Sequence, residues 1–95
     1  MDYTRFDDET LITLTARADE NALGGLYDRY SRLVYSVALN TIADPARAEE
    51  ITQDVFVRVW ESAKTYRAEQ GRGATWLGSI TRNRAIDVYR RGRER

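Results

Sequence analysis

A chain of 95 residues is long enough for one domain with a single core and too short for two. Its composition, 42% hydrophobic and 32% charged with no cysteine and no histidine, suits a soluble helical protein. It excludes disulfide frameworks, Cys/His zinc sites, thiol nucleophiles and imidazole acid–base chemistry. Net charge is zero, yet residues 1–70 carry thirteen acids and eight bases, whereas residues 71–95 carry two acids and seven arginines. An acidic body with a basic end points to nucleic acid at that end and a different partner elsewhere.

No apolar run reaches membrane-spanning length, and the acidic N-terminus, Met1 to Asp8, lacks the apolar core of a signal peptide. A cytoplasmic location with no membrane partner is therefore expected. A first helix should start at Asp7 or Asp8, carry Leu11, Leu14 and Ala18 on one stripe, and end near Asp19. A second should run from about Ala22 to Ile42, with Leu23, Leu26, Tyr27, Tyr30, Leu33, Val34, Val37 and Ala38 forming a broad buried face. Tyr27, Tyr30 and Tyr35 read as core residues. Gly24-Gly25 predicts a frayed or kinked first turn, since each glycine costs about 1 kcal/mol relative to alanine.

Asp44-Pro45 is a strong start signal, an N-cap acceptor followed by proline at the first helical position. The third helix should reach about Ala63, with Ala48, Ile51, Val55, Val59 and Ser62 or Ala63 inward and Phe56 and Trp60 on its flanks. Lys64 to Ala74 reads as a polar loop. The fourth helix should begin near Thr75, run through Trp76, Leu77, Ile80, Ala85 and Val88 to Arg91, and leave residues 92–95 frayed. No period-2 alternation or hairpin turn is present, so the fold is expected to be all-α, a compact bundle of about four helices with no sheet.

Two patterns carry chemistry. Glu50, Gln53, Asp54, Val57 and Glu61 fall on one face of the third helix, away from its apolar stripe. Read by periodicity alone, that face is a solvated exterior. Arg84, Arg91 and Arg95 share a face of the fourth helix, flanked by Arg82 and Arg90. Such spacing suits phosphate contacts, although basic residues also favour any helix C-terminus. Trp60 and Trp76 read as packing aromatics. With no paired carboxylates in an apolar setting, no metal-ligand cluster and no phosphate loop, no enzyme activity, cofactor or metal is expected.

From about Leu23 to Arg95 the chain resembles region 2 of the extracytoplasmic-function sigma factors. Four stretches carry the likeness: Leu26-Tyr27-Asp28-Arg29-Tyr30 with Val34-Tyr35; Asp44-Pro45 through Val55-Phe56 with Trp60; Gly73-Ala74-Thr75-Trp76-Leu77; and Ile80 through Asp87 with Arg90-Arg91. The acidic, Leu-rich N-terminal segment also resembles the one preceding region 2 in that family. Gly24-Gly25 departs from the family pattern.

The resemblance implies a domain that binds core RNA polymerase and recognises and melts the promoter −10 element. It assigns Glu50, Gln53, Asp54, Val57 and Glu61 to the coiled coil of the polymerase β′ clamp. It places a base-reading loop at Lys64–Ala74, and flipped bases held in a pocket offset the cost of unstacking. Tyr66, Arg67, Gln70, Arg72, Asn83, Arg84, Asp87, Arg90 and Arg91 would then face the non-template strand. By analogy an anti-sigma factor is a second partner. The expected layout is an N-terminal helix over 1–21, region 2 helices over 22–91 and the start of a linker over 92–95, with the family's second DNA-binding domain (region 4) absent. A stand-alone DNA-binding module and a helical protein-interaction module remain open alternatives. Against a helix-turn-helix stands the eleven-residue connection before the last helix, where that motif uses three or four residues.

Overall fold

The computed structural model describes residues 2–93, with side chains to Gly92, and those residues form four α-helices and no strand. The helices are α1 (Asp8–Ala16), α2 (Glu20–Ile42), α3 (Pro45–Ser62) and α4 (Gly73–Arg93). Short 3₁₀ turns cover Tyr3–Arg5, Ala63–Thr65 and Ala68–Gln70. The all-α bundle expected from the sequence is what forms.

Aspartates start three of the helices. Asp7 Oδ1 accepts the Thr10 amide at 2.8 Å, Asp19 Oδ1 accepts those of Asn21 and Ala22, and Asp44 Oδ1 accepts those of Ala46 and Arg47. Each satisfies amides that the first turn leaves without a helical partner. Asp19 therefore opens α2 rather than closing α1, which ends at Ala16 and turns through Ala18 at φ +67°. The turn from α2 to α3 uses Ala43 at φ +58°, whose amide donates to the Leu39 carbonyl at 2.7 Å.

The kink expected at Gly24-Gly25 is absent, and α2 is unbroken from Glu20 to Ile42. Close packing supplies the reason. A Cβ on Gly25 would lie 3.3 Å from Leu11 Cδ1, so the missing side chain lets α1 settle on α2. Burial of Leu11 and Leu26 there offsets the weak helix propensity.

The central helix α2 packs against the other three, and α4 runs antiparallel to α3. Leu11, Ile12, Leu26, Val34, Ile51, Val55, Val59, Leu77 and Ala85 form the core. Thr15, Thr52 and Thr81 lie in it too, each hydroxyl donating to the carbonyl four residues back. Among the described residues no buried side-chain polar atom lacks a partner.

Several side chains differ from the sequence expectation. Phe56 is buried rather than flanking, whereas Leu33 is 59% exposed and Tyr27 38%. Tyr27 rests edge-on against Phe56 with its outer side in solvent, and Tyr30 and Tyr35 are half-buried. Helix α4 begins at Gly73, before the expected Thr75, and stays helical through Gly92 and Arg93. The remainder of the expected frayed tail, Glu94 and Arg95, lies outside the described residues.

The N-terminal segment is tied down by α2. The Arg29 guanidinium donates to the carbonyls of Tyr3, Thr4 and Phe6 and pairs with Asp8 at 3.0 Å. Tyr30 donates its phenol proton to Asp8, and Tyr3 donates to Asp19 at 2.7 Å.

Candidate functional site

Two surfaces meet along the α3–α4 seam. On α3 the side chains of Glu50, Gln53, Val57 and Glu61 point into solvent, and Val57 is 56% exposed. Asp54 behaves differently. Its Oδ2 accepts from Arg84 Nη2 at 2.8 Å and from Nε at 3.3 Å, so its charge is engaged by α4. Arg84 also donates to Asp87 at 3.0 Å, and Arg91 pairs with Asp87 at 3.3 Å. The sequence-predicted face thus divides into four solvent-facing residues and one that clamps the two helices together.

Beside that face lies an open groove of about 410 Å³ between α2 and α3. Leu23, Gly24 and Tyr27 form one wall, and Phe56, Val57 and Trp60 the other. Sequence reasoning missed it, because a residue i, i+3 or i+4 from core positions reads as core whether or not a neighbouring helix covers it. Gly24 was the available signal. Nothing lies within 4 Å of where its Cβ would be, so it opens the groove rather than fitting a close contact.

The loop between α3 and α4 is built rather than loose. Tyr66 packs its ring 5.4 Å from that of Trp76 and donates its hydroxyl to the Gly71 carbonyl at 2.8 Å. Partial burial, followed by the charges of Glu9, Asp7 and Glu69, pushes its phenol above the usual value. Arg67 Nη1 donates to the carbonyls of Lys64 and Tyr66. Gly71 sits at φ +122°, a conformation that side chains rarely adopt. Of the expected loop residues, Tyr66 and Arg67 hold the loop's shape, while Gln70 and Arg72 stand exposed without a side-chain partner among the described residues.

The N-terminal helix supports the loop's far end. Glu9 Oε2 accepts the Gly73 amide at 3.0 Å, so a carboxylate from α1 caps α4 where the helix dipole favours negative charge. A Cβ on Gly73 would meet Glu9 Oε2 at 2.7 Å and Ile12 Cδ1 at 2.8 Å, so only glycine fits here unmoved. The sequence showed Asp8 and Glu9 as first-turn acids; it carried no sign of partners 21 and 64 residues away.

Along α4, Asn83, Arg82 and Arg90 are exposed and free of hydrogen bonds or ion pairs among the described residues. Arg91 is exposed beyond its contact with Asp87. Arg84, expected among the phosphate contacts, is held between two carboxylates with 19% of its side chain exposed. Arg95, the last member of that expected face, lies outside the described residues. Among the described residues no three carboxylates converge as a metal site, and no helix is long and apolar enough to cross a membrane.

Residues 26–95 match the sequence profile of Sigma-70 region 2. The ECF RNA polymerase sigma factor SigK of Mycobacterium sp. (strain KMS) is 34% identical over 88 residues, covering 93% of this chain and 46% of that protein. The SigK of Mycolicibacterium vanbaalenii is 33% identical over 82 residues, 86% of this chain and 42% of the relative. That of Mycobacterium tuberculosis (strain ATCC 25177 / H37Ra) is 29% identical over 84 residues, 88% of this chain and 45% of the relative. The chain therefore spans slightly under half the length of these curated relatives. No solved structure gives a significant match.

Proposed function

This chain belongs to the Sigma-70 region 2 family, and from that premise we propose that it is the domain of a sigma factor that docks on core RNA polymerase and holds melted promoter DNA. The solvent face of α3, Glu50, Gln53, Val57 and Glu61, binds the coiled coil of the β′ clamp, with the apolar groove beside it taking part. The 64–74 loop and the exposed side of α4 capture the non-template strand of the −10 element as it unpairs. Such a domain acts in the cytoplasm, needs no cofactor and catalyses nothing. An anti-sigma factor covering the α3 face is a further partner on this reading.

One observation carries the proposal. The Asp54–Arg84–Asp87 clamp fixes α3 against α4, so an acidic, partly apolar face and a basic, amide-bearing face are held rigidly on one body. Acidic α3 complements a basic partner and sets register and encounter rate more than affinity. Exposed Gln70, Arg72, Asn83 and Arg90 supply amide groups for base edges and cations for phosphates.

A polymerase complex carrying this chain and a fluorescent, partly single-stranded promoter probe tests the DNA half. Asn83→Ala and Gln70→Ala are expected to leave docking on polymerase unchanged and to shorten the lifetime of the probe complex. Full retention of the probe by the double variant contradicts the proposal for this surface.

A further inference from the structure

The two carboxylates at the start of α1 serve different neighbours. Asp8 accepts from the Tyr30 phenol and pairs with Arg29 at 3.0 Å, both on α2. Glu9, next in sequence, accepts the Gly73 amide at the start of α4. Leu11 and Ile12 of the same helix are fully buried, so α1 is a fixed support that carries Glu9 to Gly73.

That contact gains weight from how the 64–74 segment is otherwise held. The Thr65 hydroxyl donates to the Ser62 carbonyl at 2.7 Å, and the Arg67 guanidinium binds the carbonyls of Lys64 and Tyr66. Amides of Gln70 and Gly71 donate to the carbonyls of Arg67 and Ala68, and Tyr66 reaches across to Gly71. All of these are local, as is the bond from the Trp76 amide to the Arg72 carbonyl. Among the described residues, Glu9 supplies the one hydrogen bond that reaches the segment from beyond α3 and α4. Gly71 is the pivot, because its φ of +122° belongs to a region glycine explores freely. The direction in which Gln70 leaves the loop therefore depends on what fixes the chain on the far side of Gly71, and Gly73 is where it is fixed.

We infer that Glu9 is a positioning residue for base reading: by holding the Gly73 amide, it fixes the 64–74 loop in the shape that presents Gln70 to an unpaired base. Glu9 itself touches no DNA. The inference rests on the loop's role proposed above and adds a residue of α1, outside both proposed contact surfaces, that sets it. Cations along α4 do not depend on this brace, so its loss falls on sequence preference rather than on overall affinity.

The test uses the full chain on core polymerase with two fluorescein-labelled, partly single-stranded DNA probes. One carries a single-stranded sequence enriched from a random pool by the wild-type complex, and the other carries the same bases scrambled. Glu9→Ala is expected to reduce the ratio of the two affinities by about fivefold or more, with docking and affinity for the scrambled probe unchanged. Glu9→Gln, which keeps an acceptor oxygen, should restore most of the ratio. Asp19→Ala removes a cap of the same kind from α2, lowers stability without touching the loop, and should leave the ratio intact. Exchange of the Gly73 amide, followed by NMR, should be slow in wild type and Glu9→Gln and fast in Glu9→Ala. If Glu9→Ala fails to fold, Glu9→Asp, one methylene shorter, takes its place with the same expectations. An unchanged ratio, or a Gly73 amide that still exchanges slowly, overturns the inference and leaves the loop's role standing. Equal loss in Asp19→Ala, or no rescue by glutamine, also overturns it, because stability or charge would then be acting. A wild-type complex that enriches no sequence removes base reading and this inference together.

Discussion

Substituting Gly73 by alanine tests whether α1 is built onto the start of α4. The added Cβ would lie 2.7 Å from Glu9 Oε2, 2.8 Å from Ile12 Cδ1 and 3.2 Å from Asp8 Cβ. Glu9 can swing away, but it then gives up the Gly73 amide, a hydrogen bond to a charged group worth about 1.5–3 kcal/mol. Ile12 is fully buried, so moving its Cδ1 disturbs the core, at about 1–3 kcal/mol for overpacking. Against these stands a gain of about 0.4–1 kcal/mol from a less flexible unfolded chain. Since one movement partly relieves the other, the net loss should be about 2–4 kcal/mol. For a domain of this size that lowers Tm by roughly 10–25 °C, read by circular dichroism melting and urea titration. Ile12→Val, which removes Cδ1, should recover about 1 kcal/mol in the Gly73→Ala background relative to the sum of the single changes. A Gly73→Ala variant as stable as wild type refutes the close packing of α1 on α4.

Other glycines and turns should respond with the opposite sign. Gly24→Ala, exposed in mid-helix with nothing within 4 Å of the new Cβ, should stabilise by about 0.5–1 kcal/mol in the same melts. Ala43→Gly should raise Tm slightly, because alanine at φ +58° carries a left-handed strain of about 1–2 kcal/mol that exceeds glycine's extra unfolded-state entropy. Hydrogen bonds from Thr10 hold the Asp7 carboxyl below its usual pKa, and the Tyr3 hydroxyl does the same for Asp19. Because both values are lower in the folded chain, the stability they bring is present above the ordinary carboxylate range. It is lost as pH falls through the depressed values, so Asp7→Asn and Asp19→Asn should flatten the acid limb of a stability–pH curve. Burial, then the Asp8 hydrogen bond, pushes the Tyr30 phenol from 10.0 to about 12. That raised value gives stability that is complete below pH 10 and declines as pH rises toward about 12, a decline Tyr30→Phe should lack.

What the sequence made legible was local. Asp44-Pro45 located the start of α3, and the stripe of Ala48, Ile51, Val55 and Val59 is buried as its spacing requires. The four-helix architecture follows from such periods. Facts that depend on which helices become neighbours were not legible. Gly24-Gly25 looked like a break because propensity is a property of the isolated helix, whereas Leu11 makes Gly25 a packing residue. Leu33 lies at core spacing on α2 but stays exposed, and Tyr27 meets α3 only through its edge-on contact with Phe56, its outer side in solvent.

The candidate site shows the same division. Glu50, Gln53, Val57 and Glu61 share a solvent face as their spacing predicts. Asp54 shares that spacing, yet its partner Arg84 is 30 residues away, a pairing that no helical period encodes. The clamp also governs how mutations should be read. Asp54→Arg would place two cations together and disturb the α3–α4 seam, so it cannot report docking alone. Glu50→Arg changes an exposed charge with no intramolecular partner among the described residues.

Binding of the chain to purified core polymerase, wild type against Glu50→Arg, is therefore the most direct test of the central claim. The isolated β′ clamp coiled coil would serve as a second ligand. Saturable binding to both by wild type, lost or strongly weakened in a Glu50→Arg variant that melts normally, is the predicted result. Equal binding by the two proteins would contradict the assignment of the α3 face, and no binding by wild type would contradict docking itself.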